Sequence, residues 1–152
     1  MLNQFNYTYP IEDIRSMYSL AADVKNELLI KAFYEAEQLD VNPQLQDTKY
    51  REIPAQYREG TKVTGGLGLD MILCYYAYAR YILTSDHKST STGTKIQTYG
   101  NSIIVPNDDR NKVYEAERGK ADILMTQMIR ILMDAGLMRR PQRVQYRIGV
   151  IK

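Results

Sequence analysis

The chain has 152 residues, 44 % of them hydrophobic and 25 % charged. Those are the proportions of one globular domain long enough to bury a core without staples. The net charge of +2 and the single cysteine give no ground for nucleic-acid or membrane binding on charge alone. They also exclude a disulfide framework within the chain, which fits a reducing compartment.

Residues 1–9 read as an extended lead-in without the basic and apolar regions of a signal peptide. A short helix is expected from Pro10, which is tolerated in a first turn. Glu12 and Asp13 sit at its positive end, and Ile14, Met17, Tyr18 and Ala21 form its apolar face. Asp23 suits the N-cap of a second helix, with Glu27 in the first turns. Leu28, Leu29, Ala32, Phe33, Ala36 and Leu39 recur at spacings of three and four, an amphipathic signature. Lys25, Lys31, Glu35 and Glu37 form the expected solvated face. The helix should stop before Pro43. Residues 43–65 read as a connector with short helical pieces around 45–50 and 53–57, and Gly65 and Gly66 open the next element.

That element is Leu67–Leu83, LGLDMILCYYAYARYIL, broken only by Gly68, Asp70 and Arg80. A helix of this length spans about 25 Å. Being apolar nearly all round, it should be buried nearly all round. Tyr75, Tyr76, Tyr78 and Tyr81 each need an apolar wall and a polar partner. Asp70 and Arg80 call for partners on another helix or another subunit, because an unpaired buried charge is expensive. The run is slightly short for a membrane span, and both charges would be costly in lipid. So few helices could leave part of its cover to neighbouring subunits.

Residues 84–109 begin polar and Ser/Thr-rich. Thr94–Tyr99 and Ser102–Val105 are strand-like runs around Gly100-Asn101, a dipeptide suited to a two-residue turn. They predict a projecting β-hairpin within an insertion at about 85–106. Such a hairpin is marginal alone, so it needs a surface to pack on. A long final helix follows, with Asn107, Asp108 and Asp109 as N-cap choices. Its stripe runs through Val113 or Tyr114, Glu117, Ala121, Leu124, Met125, Met128, Ile131, Leu132 and Ala135, and Gly136 stops it. The tail carries Arg139, Arg140, Arg143, Arg147 and Lys152 with no acid after Asp134. Val144, Tyr146, Ile148 and Val150 alternate with polar or small residues, as in a strand or extended arm. The expected fold is therefore mainly α: a small helical bundle around a central apolar helix (residues 1–138), with a hairpin or long loop and an extended basic C-terminal arm (139–152).

No motif carries catalysis or a cofactor. His87 lies in a polar loop and Cys74 at mid-helix, so a Cys–His pair is not expected, and zinc lacks ligands. GGLGLD has Met71 where a dinucleotide fingerprint needs its third glycine, and no strand precedes it. STSTGTK lacks the Gly-Lys-Ser/Thr ending of a phosphate loop. Asp108, Asp109, Glu115 and Glu117 fit capping and the helix dipole better than a metal site. The tail's charges are interleaved with apolar residues, which strand addition to a partner uses and phosphate binding does not. A small helical nucleic-acid-binding regulator working through this arm is the alternative.

The order of elements resembles another class. A helix with an LLxKAxxEA-like run (Leu28–Ala36), an LAYYALAR-like central helix (Leu73–Arg80), a loop with TYGNSIIVP, a long helix and an extended tail together resemble the head–tail connector (adaptor) proteins of tailed bacteriophages. The resemblance extends to those of crAss-like phages infecting gut Bacteroidetes. The resemblance covers about residues 20–150; the 43–65 connector and the strand-like tail match nothing residue by residue. It implies a non-enzymatic ring in the virion neck, assembled in the host cytoplasm, which joins the portal to a tail or second neck-ring protein. DNA would pass through it without sequence-specific contact, and no membrane or cofactor is involved. The interface residues expected on this reading are Arg139, Arg140, Arg143, Val144, Tyr146, Arg147, Ile148 and Val150 in the arm, and Ile96, Tyr99 and Ile103 in the hairpin.

Overall fold

The computed structural model describes residues 7–84, 87–90, 93–96 and 107–141. Helix α1 (Ile11–Tyr18) starts directly after Pro10. Helix α2 (Asn26–Ala36) follows Lys25, and no side chain caps it, so Asp23 is not its N-cap. The chain then widens into a π turn, Glu37–Val41, and tightens into a 3-10 turn, Asn42–Leu45. Pro43 lies in the first turn of that last piece instead of ending the helical path. Two 3-10 turns, Tyr50–Glu52 and Lys62–Thr64, flank α3 (Ala55–Arg58). Helix α4 (Leu69–Thr84) is the expected central helix, and α5 (Asn107–Asp134) is the longest, with 28 residues.

The chain is mainly helical and is organised around α4. Leu69, Ile72, Leu73, Cys74, Tyr76 and Ala77 of α4 are buried against Leu29, Ala32, Phe33 and Ala36 of α2 and Ala121, Met125, Met128 and Leu132 of α5. Ile14 of α1 and Val41, Leu45, Tyr50 and Ile53 of the connector close the same core. Each large apolar side chain buried this way contributes about 1.5–3 kcal/mol. Asp40 reaches both Arg80 and Arg118, and Tyr76 reaches Asp122. Residue numbers rise along α4 as they fall along α5, so the two helices run antiparallel. The cover of α4 thus comes largely from its own chain. Met71, Tyr75, Tyr78 and Ile82, at spacings of four, three and four, form a half-exposed stripe along it, and Tyr81 and Leu83 at its end are half-exposed as well.

Two expectations for α2 are reversed. Glu37, expected in solvent, is 1 % exposed, whereas Leu28 and Leu39, expected inside, are 46 % and 60 % exposed. The buried positions Leu29, Ala32, Phe33, Ala36, Glu37, Asp40 and Val41 keep spacings of three, four and one, so the inward face runs on through the π turn and leaves Leu28 and Leu39 on the other side.

The hairpin also differs from expectation. His87–Thr90 (β1) pairs antiparallel with Gly93–Ile96 (β2), with Ile96 opposite His87. Thr94–Ile96 therefore pairs with the preceding segment. Residues 97–106, which hold the rest of the expected hairpin, lie outside the described residues.

Two glycines fix chain direction. A Cβ on Gly68 would sit 2.6 Å from the Arg58 carbonyl oxygen and 2.9 Å from the Gly60 nitrogen. The start of α4 can therefore lie on the end of α3 only as bare backbone. At the other end Gly136 adopts φ +76°. The Gly136 amide donates to the Met133 carbonyl at 3.1 Å and the Leu137 amide to the Leu132 carbonyl at 2.9 Å. This pair of bonds is a Schellman stop for α5.

Candidate functional site

The most distinctive local chemistry gathers where α2 widens. The apolar stripe of α2 continues into Glu37 and Asp40, two acids at positions where the pattern calls for apolar side chains. Each is answered by an arginine from elsewhere in the chain. Arg80 of α4 holds Asp40 through two bonds, Nε to Oδ2 at 2.6 Å and Nη2 to Oδ1 at 3.0 Å. Arg118 of α5 stands 3.5 Å from the same carboxylate and donates to the Tyr114 hydroxyl at 2.6 Å. Hydrogen bonding to Asp40 pushes the Arg80 guanidinium pKa up against the opposing effect of burial. Gln44 donates to the Asp40 carbonyl at 2.8 Å and to the Tyr76 hydroxyl at 3.1 Å, so the wide turn is tied to α4 twice.

Glu37 forms the second cluster. Arg51 donates to its Oε1 at 2.9 Å and its Oε2 at 3.2 Å, and to the Tyr9 hydroxyl at 3.0 Å. Tyr9 in turn donates to Glu37 Oε2 at 2.5 Å. The Arg51 guanidinium also lies over the Tyr7 ring, 4.6 Å from its centroid, a favourable cation–π placement.

The tyrosines repeat one device. Tyr9 donates to Glu37, Tyr18 to Glu117, Tyr50 to Asp70 and Tyr76 to Asp122. In all four, burial first and the carboxylate second push the phenol pKa up, so these hydroxyls stay protonated donors. Asp70 and Arg80 both find their partners inside the chain, Tyr50 and Asp40. Among the described residues no buried side-chain nitrogen or oxygen lacks a partner, as a well-satisfied interior requires.

This is a bracing chemistry. Burial, with Asp13 and Asp70 nearby, pushes the Cys74 thiol pKa up, away from the thiolate that nucleophilic chemistry needs. Among the described residues no group of three or more His, Cys, Asp and Glu is placed to hold a metal ion, and no helix is long and apolar enough to cross a membrane. Glu117, considered with Asp108, Asp109 and Glu115, lies apart from a helix start and bonds Tyr18 and Lys120.

Of the interface residues expected from sequence, Arg139 and Arg140 are exposed just past the α5 stop, and Arg140 pairs with Asp134 at 2.7 Å. Ile96 is in β2. Arg143, Val144, Tyr146, Arg147, Ile148, Val150, Tyr99 and Ile103 lie outside the described residues. Sequence reasoning missed Asp40, Glu37 and Arg51. The available signal was an acid at an inward position of an apolar stripe, twice within four residues.

The model of a family of unknown function, DUF6712, matches residues 26–138. No curated protein matches the chain, and no solved structure does. With the match spanning most of its length, the chain belongs to the DUF6712 family.

Proposed function

We propose that this DUF6712 member is a structural virion protein: a ring component of a tailed-phage neck that joins the portal to a tail or second neck-ring protein. It assembles in the host cytoplasm and surrounds a channel through which DNA passes without sequence-specific contact. The observation that carries this reading is the position of two segments on a braced helical pair. The chain leaves α4 at Thr84 and returns at Asn107, the start of α5; it leaves α5 beyond Gly136. A helix of 28 residues is about 42 Å long at 1.5 Å per residue. The 85–106 insertion and the basic 139–152 arm therefore depart from opposite ends of one rigid strut. A ring subunit with different partners above and below needs such a layout, and heterologous contacts close a ring when the rotation allows.

The order of elements supports the same reading, as does an interior whose acids are spent on bracing. The alternative, a nucleic-acid-binding regulator, draws on the five cationic side chains of the arm. Deletion of residues 139–152 discriminates. The truncated chain should keep its urea-unfolding midpoint but lose self-assembly by native mass measurement and capture by its portal. Unchanged assembly of the truncated chain with the portal overturns the proposal. Steeply salt-dependent binding of the full chain to plain duplex DNA, lost with the arm, favours the alternative.

A further inference from the structure

The family match begins at residue 26, yet the groove of the matched body is filled by residues that precede it. Arg58 Nη1 donates to the Tyr7 hydroxyl at 2.5 Å. Tyr9 lies stacked on Phe33, ring centroids 5.3 Å apart, and joins the Glu37–Arg51 cluster. The Cys74 thiol faces the Pro10 carbonyl at 3.9 Å, and Ile14 is fully buried. Tyr18 stacks on Tyr78 at 3.6 Å and donates to Glu117. These anchors all reach residues well inside the matched body, as a docked peptide would.

The connection behind this segment is thin. Ser19, Ala21, Ala22, Asp23 and Lys25 are exposed, and an open cleft of about 750 Å³ separates α1 from the start of α2. Arg15 ties the bend by donating to the carbonyls of Ala21 and Val24 and to Asn26 Oδ1. Ser19 is held at φ +49°, a left-handed conformation unfavourable for a side chain other than glycine.

We propose that the 7–18 segment is exchanged between copies of this chain. The segment of one copy seats in the groove of the next, and residues 19–25 cross between them. Exchange keeps every anchor, because the groove and its occupant are unchanged. It also frees Ser19 from the left-handed bend, and a seven-residue linker spans up to about 23 Å when extended. The occupant is a second copy because the chemistry the groove recognises, two phenols two residues apart followed by an amphipathic helix, is carried by the chain itself. The inference deepens the ring reading and rests on the self-association proposed there.

The test uses the full chain with the photocrosslinking amino acid benzoylphenylalanine at position 7, where the side chain is half-buried at the rim of the groove. Native mass measurement first separates monomer from assembled species, and each is then irradiated and run on a denaturing gel. Exchange predicts covalently joined chains in the assembled fraction and none in the monomer. An assembled fraction whose crosslinks stay within single chains overturns exchange and leaves the ring reading standing. A chain that stays monomeric overturns the ring reading and exchange with it. Ser19→Gly, which relaxes the closed bend, should lower the joined fraction about fivefold; an unchanged fraction counts against the hinge and overturns the proposal.

Discussion

Arg80→Ala tests whether the central helix is braced within one chain. Arg80 and Asp40 form a pair whose side chains are 19 % and 3 % exposed. Removing one partner of a buried pair costs about 3–5 kcal/mol, because the other charge is left in a poor solvent. Here two features move the expectation to the low end. Arg80 keeps some contact with water, and Arg118 waits 3.5 Å from the same carboxylate. The expected loss is about 3 kcal/mol, from a total of about 5–15 kcal/mol for a domain. At a urea slope of about 2 kcal/mol per molar, the midpoint falls by about 1.5 M. The measurement is urea unfolding of dilute, monomeric protein followed by far-ultraviolet circular dichroism. The double variant Asp40→Leu with Arg80→Met removes both charges together and should lose less than the single change. A shift below about 0.5 M in the monomer, with a large loss only in the assembled protein, would mean that the pair acts between subunits, and the bracing argument would fail.

Two further outcomes follow from the geometry. Gly68→Ala should cost about 2–3 kcal/mol, since its new Cβ meets backbone atoms of Arg58, Glu59 and Gly60 that cannot move away cheaply. Gly136→Ala, in open space but at positive φ, should cost about 1 kcal/mol; equal thermal-unfolding shifts for the two would contradict the close-approach reading. The second outcome concerns Asp70, whose carboxyl pKa is raised, first by burial and against the opposing Tyr50 hydrogen bond and Arg58 charge. A raised folded pKa means that the folded chain holds the proton more tightly than the unfolded one. The associated stability is present below the ordinary carboxylate range and is lost as pH rises through the raised value. Urea midpoints of wild type and Asp70→Asn, compared from about pH 3 to about pH 7, should show the wild-type advantage shrinking with pH; an advantage that grows refutes the assignment.

Much of the helical frame was legible because it depends on pattern alone. The apolar run, broken only by Gly68, Asp70 and Arg80, marked α4 as central, and the stripe from Ala121 to Leu132, closed by Gly136, marked α5. What stayed hidden depends on phase and on long-range pairing. The π turn is a local widening without a sequence signature of its own, and Leu39 was placed inside because the acids Glu37 and Asp40 were not read as part of the inward face. The burial of Glu37 needed knowledge of Arg51 and Tyr9, respectively 14 and 28 residues away in sequence. The pairing of His87–Thr90 with Gly93–Ile96 was not read, because Gly100-Asn101 is the stronger turn signal. Asp70 and Arg80 were recognised as needing partners, yet only the fold could say that Tyr50 and Asp40 supply them.

Meeting a carboxylate with a phenol has a consequence for the field around the molecule. A tyrosine satisfies the acid's hydrogen bonding but brings no positive charge of its own, so the phenols that bond Asp70 and Asp122 leave those charges to be balanced from elsewhere. The first 84 residues carry eleven acidic and eight basic side chains. Beyond Asp134 there are five basic side chains and no acidic one. The near-neutral total conceals a chain polarised from one end to the other. Along the sequence the acidic excess lies in the first 84 residues, and the compensating cations follow the longest helix. Such a polarity orients a molecule during encounter before any contact is made, and it weakens as added salt shortens the screening length.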